Sequence, residues 1–212
     1  MSSAWILRWR AATGGGTLAG MGRQKTISDD EVLRVAREVF RAHGHTATTR
    51  EIAEAVGVSE AVLYQRFGSK DELFFAAMHP RGPDIEALLG PPEPAEDAHA
   101  YVRTVVVRMG RYFVEVIPLA LRVMTHPSFD HAMLARMPPG GPASLHEGLA
   151  ERLSVFARQK QIAAPPLVAA RILVSLAHDW ALGGVFTHAH AAQRERQLKE
   201  MVDLVWEGLR PR

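Results

Sequence analysis

The sequence predicts an all-α protein: an N-terminal three-helix bundle containing a helix-turn-helix, then a larger C-terminal helical bundle. Three observations predict it. From Ile27 onward apolar residues recur three and four apart, and nowhere alternate as they would on a strand. Capping signatures recur at Ser28-Asp29-Asp30-Glu31, Thr48-Thr49-Arg50-Glu51 and Ser69-Lys70-Asp71-Glu72. Glycines stand where the helical patterns run out, at Gly44, Gly57 and Gly68.

The first helix follows Ser28, with Val32, Val35, Ala36, Val39 and Phe40 on one face and Gly44 as its stop. In its capping box Ser28 accepts from the Glu31 amide and Glu31 reaches back to Ser28. Thr48 to Glu51 opens a short helix with Ile52, Ala53 and Val56 inward, ended by Gly57 in a left-handed conformation. Ser59 caps the next, Glu60 to Phe67, and Ser69 a fourth that runs through about Met78. Five of the 13 prolines fall between Pro80 and Ala95, enough for a linker, with a helical turn around Ile85 to Leu89. A long helix from about Glu96 carries Tyr101, Val105, Met109, Phe113 and Val116 on one face; Pro118 kinks or restarts it before Leu119 to Met124. Phe129 to Met137 reads as a short helix. Leu145, Leu149, Leu153 and Phe156 stripe another, Pro165-Pro166 opens an apolar one, and Leu198, Met201, Val202, Val205 and Leu209 stripe the last. The domains are then a disordered extension over 1–22, a helix-turn-helix domain over 23–78 and a second bundle over 79–212.

Composition narrows the class. Of 212 residues 47% are hydrophobic and 23% charged, so disorder and fibrous architectures are excluded. The absence of cysteine removes disulfide scaffolds, thiolate metal sites and a cysteine nucleophile. The stretch Ile162 to Phe186 contains Arg171, His178, Asp179 and two prolines, and reads as a helix buried on more than one side in a soluble, cytoplasmic protein rather than a membrane span. Before Ile27, Trp5-Ile6-Leu7 is too short for a signal core. Gly14-Gly15-Gly16 follows, and Met21 reads as the natural first residue; the other reading of this stretch is a DNA- or membrane-touching arm built on Arg8 and Arg10. No HExxH, GxSxG or phosphate-loop signature occurs, so the sequence points to no enzyme, no cofactor and no metal. Ten histidines, His188 and His190 among them, keep a metal-sensing variant in view.

The chemistry is concentrated between Thr48 and Lys70. Two short helices about a glycine turn place the second in a DNA major groove. Ile52, Ala53, Val56, Val58, Leu63 and Phe67 point inward; Glu60, Ala61, Val62, Tyr64, Gln65 and Arg66 divide between surface and packing. Tyr64 offers a hydroxyl to phosphate, Gln65 an amide to an adenine edge, and Arg66 a fork to guanine or phosphate. Thr48 and Thr49 at a helix N-terminus, and Lys70 at the next, are further phosphate sites. Between Arg23 and Lys70 there are eight basic and seven acidic residues, so no basic stripe marks the domain.

The run Thr48-Thr49-Arg50-Glu51-Ile52-Ala53-Glu54-Ala55-Val56-Gly57-Val58-Ser59, followed by Leu63-Tyr64-Gln65-Arg66-Phe67 and Ser69-Lys70-Asp71-Glu72-Leu73-Phe74, resembles the DNA-binding domain of the TetR family of transcriptional regulators. The resemblance covers Ile27 to Met78, about a quarter of the chain. It implies phosphate contacts by Thr48, Thr49, Tyr64 and Lys70, and base reading by Arg50, Ala61, Val62, Gln65 and Arg66. It also implies a basic N-terminal arm at Arg23 and Lys25. Glu60 departs from the basic or small residue often seen there; it can accept from a cytosine amino group or face solvent.

For the second bundle the resemblance implies a four-helix homodimer interface from the last two helices, a palindromic double-stranded DNA operator, and a small-molecule effector that releases it. Ligand-lining candidates are Tyr101, Met109, Phe113, Met124, Phe129, Met133, Leu149, Leu176, His178 and Trp180, with Met137 as a further adaptable wall. Arg108, His126, His178 and Asp179 are polar candidates to orient a ligand, His178 and Asp179 being expected on a buried helix. The alternative is a small-molecule or metal-sensing bundle whose N-terminal domain serves mainly protein contacts.

Overall fold

Side-chain caps set where the N-terminal helices begin. In the computed structural model, which describes residues 27–79, 82–91, 97–130, 142–187 and 191–211, Ser28 Oγ accepts from the Glu31 amide at 3.2 Å and starts α1, Asp29–His43. The reciprocal half of this box is absent, because the Glu31 carboxylate forks onto Arg34 at 2.6 and 2.9 Å instead. After a 3-10 turn at Gly44–Thr46, Thr48 caps α2, Thr49–Val56, with both halves of the capping box formed. Gly57 ends α2 at φ 81, a left-handed conformation that costs other residues roughly 1–2 kcal/mol. Ser59 caps α3, Glu60–Phe67, and Ser69 caps α4, Lys70–Met78, each hydroxyl accepting from the amide three residues on, of Val62 and Glu72.

The chain forms two compact units. The described residues of the first are 27–79 and 119–130. Its core brings Val32, Ala36 and Phe40 of α1 against Ile52 and Ala53 of α2, Leu63 of α3, and Leu73, Phe74 and Met78 of α4. Phe40 and Phe74 meet edge to face at 4.9 Å. Charged side chains capped on backbone carbonyls tie the elements: Arg37 Nε donates to Ala77 O at 2.6 Å and Arg122 Nη1 to Phe40 O at 3.0 Å. Val123 is buried in this core and Leu119 and Phe129 pack on it, so residues well beyond 78 complete the helix-turn-helix unit.

The described residues of the second unit are 82–118 and 142–211 without the gaps already named. They supply α5, Ile85–Leu89; α6, Ala98–Met124, whose last residues belong to the first unit; α7, Pro142–Arg158; α8, Pro166–Val185; and α9, Ala191–Leu209. α6 runs unbroken through Pro118, so the proline does not restart it. The stripe Leu145, Leu149, Leu153 and Phe156 of α7 is fully buried, and α7 packs most extensively on α8. Gly110 of α6 lets helices approach closely: a Cβ there would meet Leu198 and Trp180 at 3.0 Å. Two polar clamps cross the unit. Asp203 of α9 accepts from Arg103 at 3.0 Å and lies 2.8 Å from His99 Nε2, while His99 stacks on Trp206 at 5.0 Å. Arg152, buried, donates to Gly90 O, Gly148 O and Glu86 Oε1, closing the positive charge with three partners.

The apolar helix α8 departs from its expected burial. Ala169, Ala170, Leu173, Val174, Ala177 and Ala181 are inside, but Leu167, Val168, Ile172 and Val185 are exposed, so it is buried on one side only. By length and composition alone α8 could cross a membrane; its alanine face packs within the second unit. Phe129 and Asp130 are not helical, and the rest of the short helix expected over Phe129 to Met137 lies outside the described residues, as do the 1–22 extension, His188 and His190.

Candidate nucleic-acid interface

The second helix of the helix-turn-helix is held by three of its own polar residues. Thr49 Oγ1 of α2 lies 2.5 Å from Glu60 Oε2 and 3.2 Å from the Tyr64 hydroxyl, strapping α2 to α3. Arg66, at the other end of α3, donates through Nη1 to the Ile27 carbonyl at 2.9 Å and through Nε to Asp29 Oδ1 at 2.6 Å. These contacts, with Leu63 buried at the centre, fix the orientation of an eight-residue helix too short to hold its shape alone.

What α3 leaves on its outer face is Ala61 and Gln65, both exposed, and the ring of Tyr64, 47% exposed. Val62 is half-buried. Arg50 of α2 is exposed and paired with Glu54 at 2.9 Å; that hydrogen bond raises the guanidinium's pKa, with Glu60 contributing at longer range. Both partners of this pair are solvated, so the pair is weak and its guanidinium can exchange Glu54 for DNA at small cost. Thr48 is exposed, with its hydroxyl and amide engaged with Glu51; the bonds from Thr48 hold the Glu51 carboxyl below its usual range.

Lys70 is placed differently from a solvated lysine. Its ammonium donates to the His45 carbonyl at 2.7 Å and to the Ala47 carbonyl at 3.2 Å. An ammonium has three protons, so one is left for a phosphate while two hold the group in place. Behind it His126 is buried against Phe74 and Phe75, accepts at Nδ1 from the Ser128 amide at 3.2 Å, and has Nε2 3.8 Å from Asp71. Burial pushes this imidazole below its ordinary range, with Asp71 opposing and His45 and Lys70 adding to the shift.

Of the predicted interface residues, the structure brings Thr48, Thr49, Arg50, Ala61, Val62, Tyr64, Gln65, Arg66 and Lys70 into one unit. Arg66, expected as a base reader, turns its guanidinium to Asp29 and Ile27; Thr49, expected at a phosphate, is buried with its hydroxyl on Glu60. Arg23 and Lys25 lie outside the described residues. Sequence reasoning left Glu60 open, yet it ties the two helices together; a carboxylate in the first turn of α3, eleven residues from a threonine opening α2, was the available signal.

The ligand-lining candidates divide. Tyr101, Met109, Phe113 and Leu149 are buried in the second unit and Leu176 is half-buried there. Met124, half-exposed, and Phe129 belong to the first unit; Met133 and Met137 lie outside the described residues. His126 also belongs to the first unit, whereas Arg108 is exposed in the second. His178 and Asp179, expected buried, are exposed, with His178 edge-on to Phe113 at 5.2 Å. Trp180 pins α8 to α9: Nε1 donates to Arg194 O at 2.8 Å, and the Arg194 guanidinium lies 4.5 Å over the indole. Among the described residues no group of three or more His, Asp or Glu is placed to share a metal.

Comparison with known proteins joins this geometry to a family. Residues 32–77 match the sequence pattern of the bacterial regulatory proteins of the tetR family. The chain is 41% identical over 56 residues to the HTH-type transcriptional repressor AcnR of Corynebacterium glutamicum, covering 26% of this chain and 30% of that protein. It is 42% identical over 65 residues to the HTH-type transcriptional activator FasR of Mycolicibacterium smegmatis, covering 30% of each. The match thus spans about a third of these curated relatives. Among solved structures, a Mesorhizobium loti protein classed with TetR-family regulators superposes with a TM-score of 0.69 at 16% identity, over 86% of this chain and 96% of that one. The flavonoid-responsive regulator FrrA superposes with a TM-score of 0.60 at 24% identity, over 86% and 97%. The caps, turn glycine and clamped second helix of the helix-turn-helix all fall in or beside the segment 32–77 that matches the tetR family's pattern, so it is over this DNA-binding motif, and in its all-α fold, that the chain is similar to the TetR family of transcriptional regulators.

Proposed function

We propose that this protein is a homodimeric repressor that binds a palindromic double-stranded operator through α2 and α3 and is released when a small apolar molecule occupies its second unit. The observation that carries the DNA-binding part is the helix-turn-helix surface, with Gln65 and Ala61 exposed on α3, Arg50 exposed on α2, and Lys70 holding one unused proton. A two-fold dimer suits such a face, because two recognition helices must lie about one helical turn of DNA apart. The exposed apolar residues Val168 and Ile172 of α8, four apart on one face, support pairing with a second copy. Effector release rests on the buried apolar residues of the second unit and on analogy with responsive relatives; a ligand acts only by binding the DNA-incompetent state better. Of the curated relatives, AcnR is a repressor and FasR an activator, and both match over the DNA-binding segment alone.

The test is fluorescence anisotropy of the purified protein on fragments of the DNA flanking its gene, over a salt series. Tight binding to one fragment with a steep salt slope is expected. Lys70→Ala should weaken binding to every sequence and flatten the slope by about one unit, while Arg50→Ala should relax preference at one position. Unchanged affinity and slope in Lys70→Ala would overturn the interface.

A further inference from the structure

We propose that Glu60 is a latch that turns the Tyr64 hydroxyl proton away from DNA, so that this residue limits how tightly the protein holds non-target duplex. The proposal rests on the DNA-binding reading of α2 and α3 and assigns a regulatory role within that face. Thr49 Oγ1 lies 2.5 Å from Glu60 Oε2 and 3.2 Å from the Tyr64 hydroxyl oxygen. A carboxylate only accepts, and a threonine hydroxyl has one proton, so Thr49 donates to Glu60. The Thr49 oxygen must then accept from Tyr64, whose single proton is committed. The polarity of the chain is fixed: Tyr64 donates to Thr49, and Thr49 donates to Glu60.

Phosphate oxygens are acceptors as well. While the relay stands, Tyr64 has no proton for them, although its ring is 47% exposed on the reading face. Thr49 is only 8% exposed, so water does not compete easily for the middle of the relay. Glu60 also adds a negative charge near Arg50, where it acts on that guanidinium at longer range. Both effects oppose an incoming backbone. Lys70 is the contrast, because its two internal bonds leave a third proton outward. A phosphate pressed against Tyr64 by a fully docked operator can turn the hydroxyl and break the relay; loosely held duplex gains nothing from it.

The experiment measures anisotropy with the full chain on a random-sequence duplex and on a selected operator, for wild type, Glu60→Ala, Glu60→Gln, Tyr64→Phe and the Glu60→Ala/Tyr64→Phe pair. Glu60→Ala should tighten random duplex by about tenfold or more, the worth of one hydrogen bond to a charged phosphate. Its salt slope should steepen by up to about one unit as the opposing charge is lost. Tyr64→Phe should cost little in the wild type but remove the salt-independent part of the gain in Glu60→Ala. Glu60→Gln, whose amide can donate to Thr49 and free its proton, should show a smaller gain, and it decides the matter if the alanine variant does not fold. A loss confined to one cytosine position would make Glu60 a base reader and overturn the proposal. So would an unchanged random-duplex affinity, or a uniform loss with lowered Tm in both Glu60 variants. If the wild type binds no duplex at any salt, the DNA-binding reading falls and takes the latch with it.

Discussion

A guanidinium that donates to Asp29 Oδ1 and to the Ile27 carbonyl is held on the protein's own α1 and would have to give up both bonds to swing onto a guanine edge. Arg66→Ala is therefore expected to lower stability by about 1–2 kcal/mol, the worth of charge-assisted bonds at a partly exposed site, and to leave operator preference unchanged. Thermal unfolding and a base-substitution scan check the two halves separately. Arg66→Lys should recover part of the stability through Asp29 alone. The buried His126 yields a pH prediction. Its folded pKa lies below the ordinary histidine value, so between the two the unfolded chain binds more protons than the folded one. Stability is then fully present above about pH 6.5 and falls as pH drops below it. His79 and His146, also lowered by burial, add to the same trend. His126→Gln should flatten the fall, measured as Tm against pH. None of these partners was readable from the sequence, because Arg66 and Asp29 are 37 residues apart and a spacing rule sees only neighbours on one helix.

Helix starts and stops were the most legible elements, since a cap and its partner lie within three residues. Even so, the capping signatures behave differently: Thr48–Glu51 is a complete box, while Arg34 draws Glu31 away from Ser28. Thr48→Ala should cost about 1 kcal/mol by chemical denaturation, and more than Ser28→Ala, which loses one bond and not two. Gly57→Ala meets open space but must adopt φ 81, so about 1–2 kcal/mol is expected from backbone strain alone. The burial of α8 was misread for a physical reason. Alanine, leucine and isoleucine are all apolar, so a hydrophobic period cannot say which side is covered; the small residues went inside and Val168 and Ile172 outside. Ile172→Glu should therefore convert the proposed dimer to monomer by light scattering, with helix content unchanged. A variant that remains dimeric would place the interface elsewhere.

At the scale of the whole molecule, two compact units and their helices could be anticipated, but not their membership. The proline-rich stretch near 80–94 suggested one cut, whereas residues 119–130 return to complete the first unit, with Val123 in its core and Arg122 capping Phe40. Sequence order hides such returns because contact, not adjacency, defines a unit. The core stripes, by contrast, were legible because a helix repeats its neighbours every turn.

The engagement of Arg66, Glu60 and the Tyr64 hydroxyl with the protein's own groups has an informational consequence. With Ala61, Gln65 and Arg50 left outward, one protomer can specify about three base pairs directly, and a symmetric pair about six. Six pairs distinguish roughly one site in 4,000, while a bacterial genome offers on the order of a million competitors. Among the described residues nothing else reads bases directly, and the missing factor of roughly 250 then falls to DNA whose shape and stiffness suit the complex, so base changes at untouched positions of the operator should alter affinity as strongly as changes beneath Gln65.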